Sequence, residues 1–283
     1  MAEVDRLRWL ADNTTILLNV SGGKDSAVAS VYATKILRSL NPEARIYVIY
    51  AHTPLALEEN LSYIKKLAEF LEVPLLVAKP SQGLEALVDY GLPSFKRRWC
   101  MDLWKLKPME TIASRLPPPH LNVVGLRVEE SRRRMTIFSN HLSKDPWFFC
   151  RRSGYCSYYW APILDWDEDQ VWEYIEKENI PRNPLWRKEG HSSHDCVVCL
   201  VWAGWDDYIW LKTTYPNKWN ELIKAYRLMN ERRRRKKKIL AWHYVDLDEV
   251  DKSPTLLDFM PKRIKYETET YVSEADLPGL HKI

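Results

Sequence analysis

The 283 residues are 46% hydrophobic and 28% charged, with 13 Trp, 15 Tyr and only nine Gly, and 42 Lys and Arg stand against 38 Asp and Glu. That composition supports a sizeable core and excludes disorder over most of the length. No apolar run reaches the ~18 residues of a spanning helix, and MAEVDRLRWLADNTT lacks the order of a secretory leader, so the expectation is a cytoplasmic protein with no membrane partner.

In chain order, the buried strand candidates are Thr14 to Val20, Ile46 to Ala51, Pro74 to Ala78 and Leu121 to Leu126. A helix from about Asp25 to Leu37 follows the first. Glu58 to Glu72 reads as another, with Leu61, Ile64, Leu67, Ala68 and Leu71 on one face. The expected fold class is α/β: a doubly wound, mostly parallel sheet with a helical, aromatic-rich C-terminal part. Residues 1–165 are expected to form the nucleotide-binding domain and 166–283 the helical region. In the latter, an acidic helix start lies at Asp167 to Asp169 and a stop at Pro181. Between Trp202 and Trp242 the pattern is helical, with Leu222, Ile223, Tyr226 and Met229 or Asn230 on one stripe, and Trp172, Trp210 and Trp219 are read as core. The tail from Asp246 is weakly patterned and is expected to be partly extended, packed against the main domain.

SGGKDS, Ser21 to Ser26, stands where the first strand ends and a helix begins. Two successive glycines permit positive φ and close approach to an anion, and the helix N-terminus supplies amide donors. Lys24 can neutralise a phosphate, Asp25 can hold Mg2+ or cap the helix, and Ser21 and Ser26 can donate to phosphate oxygens. No GxG pair occurs, which excludes the dinucleotide fingerprint, and Asp25 after Lys24 excludes a Walker loop.

SGGKDS after a first strand resembles the pyrophosphate loop (PP-loop) of the adenine-nucleotide α-hydrolase-like enzymes. Gly125 to Arg134, GLRVEESRRR, is similar to the GxRxxESxxR signature of the PAPS reductase family through Gly125, Arg127, Glu130, Ser131 and Arg134. Arg98, Cys100, Lys105 and Pro108 resemble its RxCxxxxKxxP segment, and Asn183, Pro184, Leu185, Cys196 and Cys199 its NPLY and CxxC stretch. The resemblance implies that ATP or PAPS is bound, with Mg2+, by Ser21, Gly22, Gly23, Lys24, Asp25, Ser26, Gly125, Arg127, Ser131 and Arg134. It implies catalytic roles for Lys24, Asp25, Arg127, Glu130 and Cys100. The family often has Asp-Thr-Gly after the second strand, where this chain has His52, Thr53 and Pro54. The Glu-Cys-Gly-x-His tail of its thioredoxin-dependent reductases is not matched by LPGLHKI. Substrate adenylylation for sulfur transfer is therefore expected ahead of PAPS or APS reduction, and a non-catalytic nucleotide-binding subunit is the reading from another class.

Physically, planar guanidinium forks at a strand's C-terminal end suit phosphate or sulfate, and Glu130 can orient one of them. Five Cys argue against a disulfide framework and raise metal chemistry. Cys100, Cys196, Cys199 and one of Cys150 or Cys156, with Cys156 preferred, could ligate a 4Fe-4S cluster. His191, His194, Cys196 and Cys199 could hold zinc, and Cys150 beside Phe148 and Phe149 also reads as a buried apolar residue. Finally, Arg232 to Lys238 is a run of seven bases, without which 35 bases face 38 acids. It is a candidate docking site for tRNA or DNA, and a homo-oligomer is expected.

Overall fold

The computed structural model describes residues 3–129, 145–186, 196–235 and 245–254. Six strands form one sheet in the order β3-β2-β1-β4-β6-β5: β1 Thr15–Asn19, β2 Arg45–Ala51, β3 Leu75–Ala78, β4 His120–Val124, β5 Trp147–Cys150 and β6 Cys156–Trp160. All neighbours are parallel except β5 and β6. The fold class is thus the expected mostly parallel α/β sheet. The β5–β6 hairpin is an addition that the strand pattern did not show.

Alternation along each strand divides the core. Ile16, Leu18, Val48, Tyr50, Leu121 and Val123 face α1 (Glu3–Asn13), α2 (Lys24–Leu40) and α3 (Glu58–Phe70), meeting Leu10, Val28, Leu37, Ile64 and Leu67. Leu17 and Ile49 point the other way, against Ala113 of α6 (Lys107–Ala113), with Met109 and Ile112 beside them. The helix α7, Glu168–Lys177, starts on a capping box in which Gln170 N donates to Asp167 Oδ1 (2.8 Å) and Asp167 N to Gln170 Oε1 (2.9 Å). Its Val171 and Ile175 complete the first core, so the expected boundary at residue 165 does not coincide with a change of core.

A second core gathers Leu87 of α4 (Ala86–Tyr90), Trp99 of α5 (Trp99–Met101) and Trp104 of the π-helical turn Asp102–Leu106. Helices α8 (Trp205–Thr214), α9 (Pro216–Arg235) and α10 (Leu247–Lys252) pack with them through Tyr208, Leu211, Trp219, Leu222, Tyr226, Met229, Leu247 and Val250. The expected α9 stripe is therefore buried. Trp219 is core and its indole N–H donates to Asp251 Oδ1 at 2.7 Å, whereas Trp172 and Trp210 are only partly buried. No helix among the described residues is long and apolar enough to cross a membrane.

Two cysteine expectations need correction. Cys150 and Cys156 stand opposite each other in the β5–β6 register and form a disulfide, which removes Cys156 from any metal-ligand set. Cys150 is exposed rather than buried, because β5 lies at the sheet edge.

Leu18 of β1 is 0% exposed and lies in the core between the sheet and helices α1, α2 and α3, so its truncation leaves a cavity. Leu18→Ala is expected to lower the unfolding free energy by about 2–5 kcal/mol, as read from urea denaturation midpoints at unchanged slope.

Candidate nucleotide site

The chain leaves β1 toward β2 and β3 on one side and returns to β4 on the other, so the carboxyl ends of β1 and β4 flank the point where strand order reverses. In-register pairing of Asn19 with Val124 brings their exits level. Ser21–Gly23 follows β1 and Gly125–Arg127 follows β4. The approach is close: a Cβ on Gly125 would lie 2.5 Å from both the Cα and N of Ser26. Only glycine fits there.

Gly22 has φ +92°, and a Cβ on it would meet Asn60 Oδ1 at 1.9 Å. The loop's carbonyls are drawn back into the protein. Asn60 Nδ2 donates to Ser21 O (3.0 Å), while Asn183 Nδ2 and Trp186 Nε1 donate to Gly22 O at 2.9 and 2.7 Å. Asn183 also donates to Asn60 Oδ1 (2.8 Å), closing the network. Ser26 Oγ donates to Gly23 O (2.9 Å) and accepts from Ser21 N (3.2 Å). Gly23 is the N-cap of α2 and offers no capping side chain, so the first-turn amides, which lack intrahelical acceptors, are available to an anion.

Asp25 and Arg127, 6% and 4% exposed, form an ion pair with Arg127 Nε 3.0 Å from Asp25 Oδ1. Arg127 Nη1 also donates to Glu129 Oε2 at 2.7 Å. Lys24 Nζ lies 3.3 Å from Glu168 Oε1 and 3.9 Å from Asp25 Oδ1. The Lys24 ammonium holds the Glu168 carboxyl below the usual carboxylate range. The structure therefore brings together Ser21 to Ser26, Gly125 and Arg127. Glu130, Ser131 and Arg134 lie outside the described residues, as do His191 and His194.

Cys196 Sγ is 3.3 Å from Thr53 Oγ1, Val197 N donates to Leu55 O (2.7 Å), and Cys100 and Cys196 pack against the second core. Burial, reinforced by nearby Cys199, pushes the Cys100 thiol above its ordinary value, which disfavours a resting thiolate there. With Cys156 in a disulfide, three free thiols remain, and no three Cys, His, Asp or Glu side chains among the described residues are grouped to hold a metal ion. The residues present do not fit a four-cysteine cluster.

Asn60, Trp186 and Glu168 are site residues that motif reading missed. Asn60 carried a signal, being a polar residue next to the apolar face of a helix. The others had none short of the tertiary structure.

A mostly parallel α/β sheet with a glycine-rich strand-to-helix loop at its switch point is the architecture of the PP-loop folds. The profile of the phosphoadenosine phosphosulfate reductase domain matches residues 15–201, and the chain belongs to that family. An uncharacterized protein of Methanocaldococcus jannaschii is 27% identical over 219 residues, which are 76% of this chain and 49% of the relative. The chain thus spans about half the length of the first curated relatives it matches. Adenosine 5'-phosphosulfate reductase of Staphylococcus haemolyticus is 28% identical over 66% of this chain and 71% of that protein. Among solved structures, a phosphoadenylyl-sulfate reductase from Candida auris aligns at a TM-score of 0.43 and 18% identity, covering 65% of this chain and 83% of its own.

Two predictions follow from the charges. Arg127→Met leaves the Asp25 carboxylate buried without its partner and is expected to cost about 3–5 kcal/mol of stability, while the Asp25→Asn, Arg127→Met pair costs less than that single change; chemical denaturation of the three variants measures both. Burial also lowers the folded-state pKa of His52 and His120 below 6.5. The unfolded chain then binds more protons as pH falls through about 6.5, so stability is present above that value and lost below it. Unfolding free energy should drop between about pH 7.5 and about 5.5, and His52→Gln should flatten the drop.

Proposed function

We propose that the protein binds ATP, or a related adenine nucleotide, with its phosphates on the Ser21 to Ser26 loop, and activates a substrate oxygen by adenylylation for sulfur transfer. The observation that carries this is the Asp25–Arg127 pair, which locks the glycine loop of β1 to the exit of β4 at the switch point. Chain amides in the first turn of α2 and the Lys24 ammonium are placed to receive pyrophosphate oxygens. In the reaction, the substrate oxygen forms a bond to the α-phosphorus as the bond to the bridging oxygen breaks, and pyrophosphate leaves with the negative charge. Lys24 and the amides stabilise that charge. Mg2+ would neutralise phosphate oxygens, and Asp25 is the loop residue able to share it. The outer sulfur of a persulfide carried on Cys100, Cys196 or Cys199 would then displace AMP and leave a Cys–S–S–substrate disulfide. A second of these thiols would cleave it, releasing the thiolated substrate and a Cys–Cys disulfide that an external thiol reductant returns to the dithiol.

Sulfonucleotide reduction is the second reading, favoured by the similarity to adenosine 5'-phosphosulfate reductases. Among these 283 residues, the free thiols that could attack the sulfur are Cys100, Cys196 and Cys199. The basic run is the remaining element and supports a polyanionic partner, tRNA or DNA. Its charge is partly spoken for: Arg232 pairs with Asp89, and Arg233 lies against Gly91.

The decisive assay supplies ATP with candidate acceptors and follows AMP and pyrophosphate, in parallel with APS and PAPS plus thioredoxin, following sulfite. ATP cleavage that falls about a hundredfold to a thousandfold in Lys24→Met is the expected result. Sulfite release without ATP cleavage would replace adenylylation by reduction, and nucleotide binding without either product would make the chain a binding subunit.

A further inference from the structure

The charges around the loop are unusual for a place that receives phosphates. Among the described residues, Asp25, Glu129 and Glu168 surround Lys24 and Arg127, three carboxylates against two cations. Asp25 and Arg127 are buried against each other, 6% and 4% exposed, and separating them is costly. Lys24 is different, with 23% of its side chain exposed, and its near partner is the 56% exposed Glu168.

Glu168 is placed by forces independent of Lys24. It is the first residue of α7, whose start is set by the Asp167–Gln170 capping box and whose Val171 and Ile175 are anchored in the core. The positive end of the helix favours a carboxylate there, and Trp172 Nε1 donates to Glu168 Oε1 at 3.4 Å. Glu168 therefore keeps a donor and a favourable field when Lys24 departs.

We infer that Glu168 is a positioning residue that stands in for phosphate: it pairs with Lys24 beside the Ser21 to Ser26 loop and surrenders it when a phosphate arrives. This rests on the phosphate-site reading of Ser21 to Ser26. The lowered titration of Glu168 agrees, since Lys24 keeps it charged and competent to compete. An incoming phosphate gains Lys24 only after breaking the carboxylate contact, so the resting pair weakens binding of every phosphate ligand and does not discriminate among bases.

Calorimetry with inorganic pyrophosphate and with ATP at low salt tests this. Glu168→Gln is expected to bind both about threefold to tenfold more tightly, with the gain shrinking as salt is raised. Glu173→Gln removes the same charge from an exposed position of the same helix and is expected to change affinity less. In a Lys24→Met background the Glu168→Gln gain should vanish. Unchanged or weaker binding by Glu168→Gln, an equal gain from Glu173→Gln, or a gain that survives Lys24→Met overturns the inference. Glu168→Ala gives the same reading if glutamine disturbs the helix start. Failure of the unaltered chain to bind either ligand overturns the phosphate-site reading itself, and this inference with it.

Discussion

The close approach of the β4 exit to the start of α2 is the constraint on which the site depends. Gly125 sits against the backbone of Ser26 with no room for a side chain, and the next charged residue, Arg127, reaches across to Asp25 one position before that serine. Parallel in-register pairing of β1 with β4 makes this meeting possible, since strand exits that were staggered could not bring two short turns into contact. A charged pair so buried adds little net stability compared with an apolar one, but breaking it is costly. Its effect is to define one position for the loop.

The loop is fixed from behind as firmly as from the side. Asn60 from α3, with Asn183 and Trp186 from the segment after α7, pins the carbonyls of Ser21 and Gly22, and Asn60 and Asn183 bond to each other. Carbonyls facing inward leave the amide side of the turn for an anion, which is the polarity that a phosphate loop needs. The same arrangement ties sequence-distant parts of the chain to six residues. On the far side of β2, Val197 donates to Leu55 and Lys218 Nζ donates to Pro54 O, so the second core also grips a strand exit of the sheet.

Much of this was legible before any coordinates. Four parallel strands and the SGGKDS turn announce themselves because inner parallel strands covered on both faces read as continuous apolar runs, and a glycine pair between strand and helix has few other uses. The expected buried third strand is β3, which lies at the sheet edge and is only partly buried. The hairpin was not legible. Trp147 to Cys150 is an apolar run of only four residues without alternation, and its aromatics lie outward at a sheet edge, so the pattern does not mark it as a buried strand. The bond between Cys150 and Cys156 depends on a cross-strand register that spacing alone does not reveal. Glu168 was read as part of an acidic helix start, and that reading is correct as far as it goes. Its second role depends on α7 packing beside the loop. The basic run likewise reads as seven equal charges, whereas the fold sets Arg232 against Asp89 of α4.

The sheet order also sorts the sulfurs. β5 and β6 form one edge, and the disulfide joins them there, whereas Cys196 touches Thr53 just past β2, with β1 and β4 between. Cys100 packs against the same second core as Cys196 and feels the charge of Cys199. The free thiols are therefore Cys100, Cys196 and Cys199, and burial raises the thiol pKa of Cys100. A thiol of that kind is a poor nucleophile at neutral pH until a cation approaches or its surroundings open. Lys105 and Arg98 already pull its titration back toward the ordinary value, so the local charges needed for activation are present but outweighed by burial.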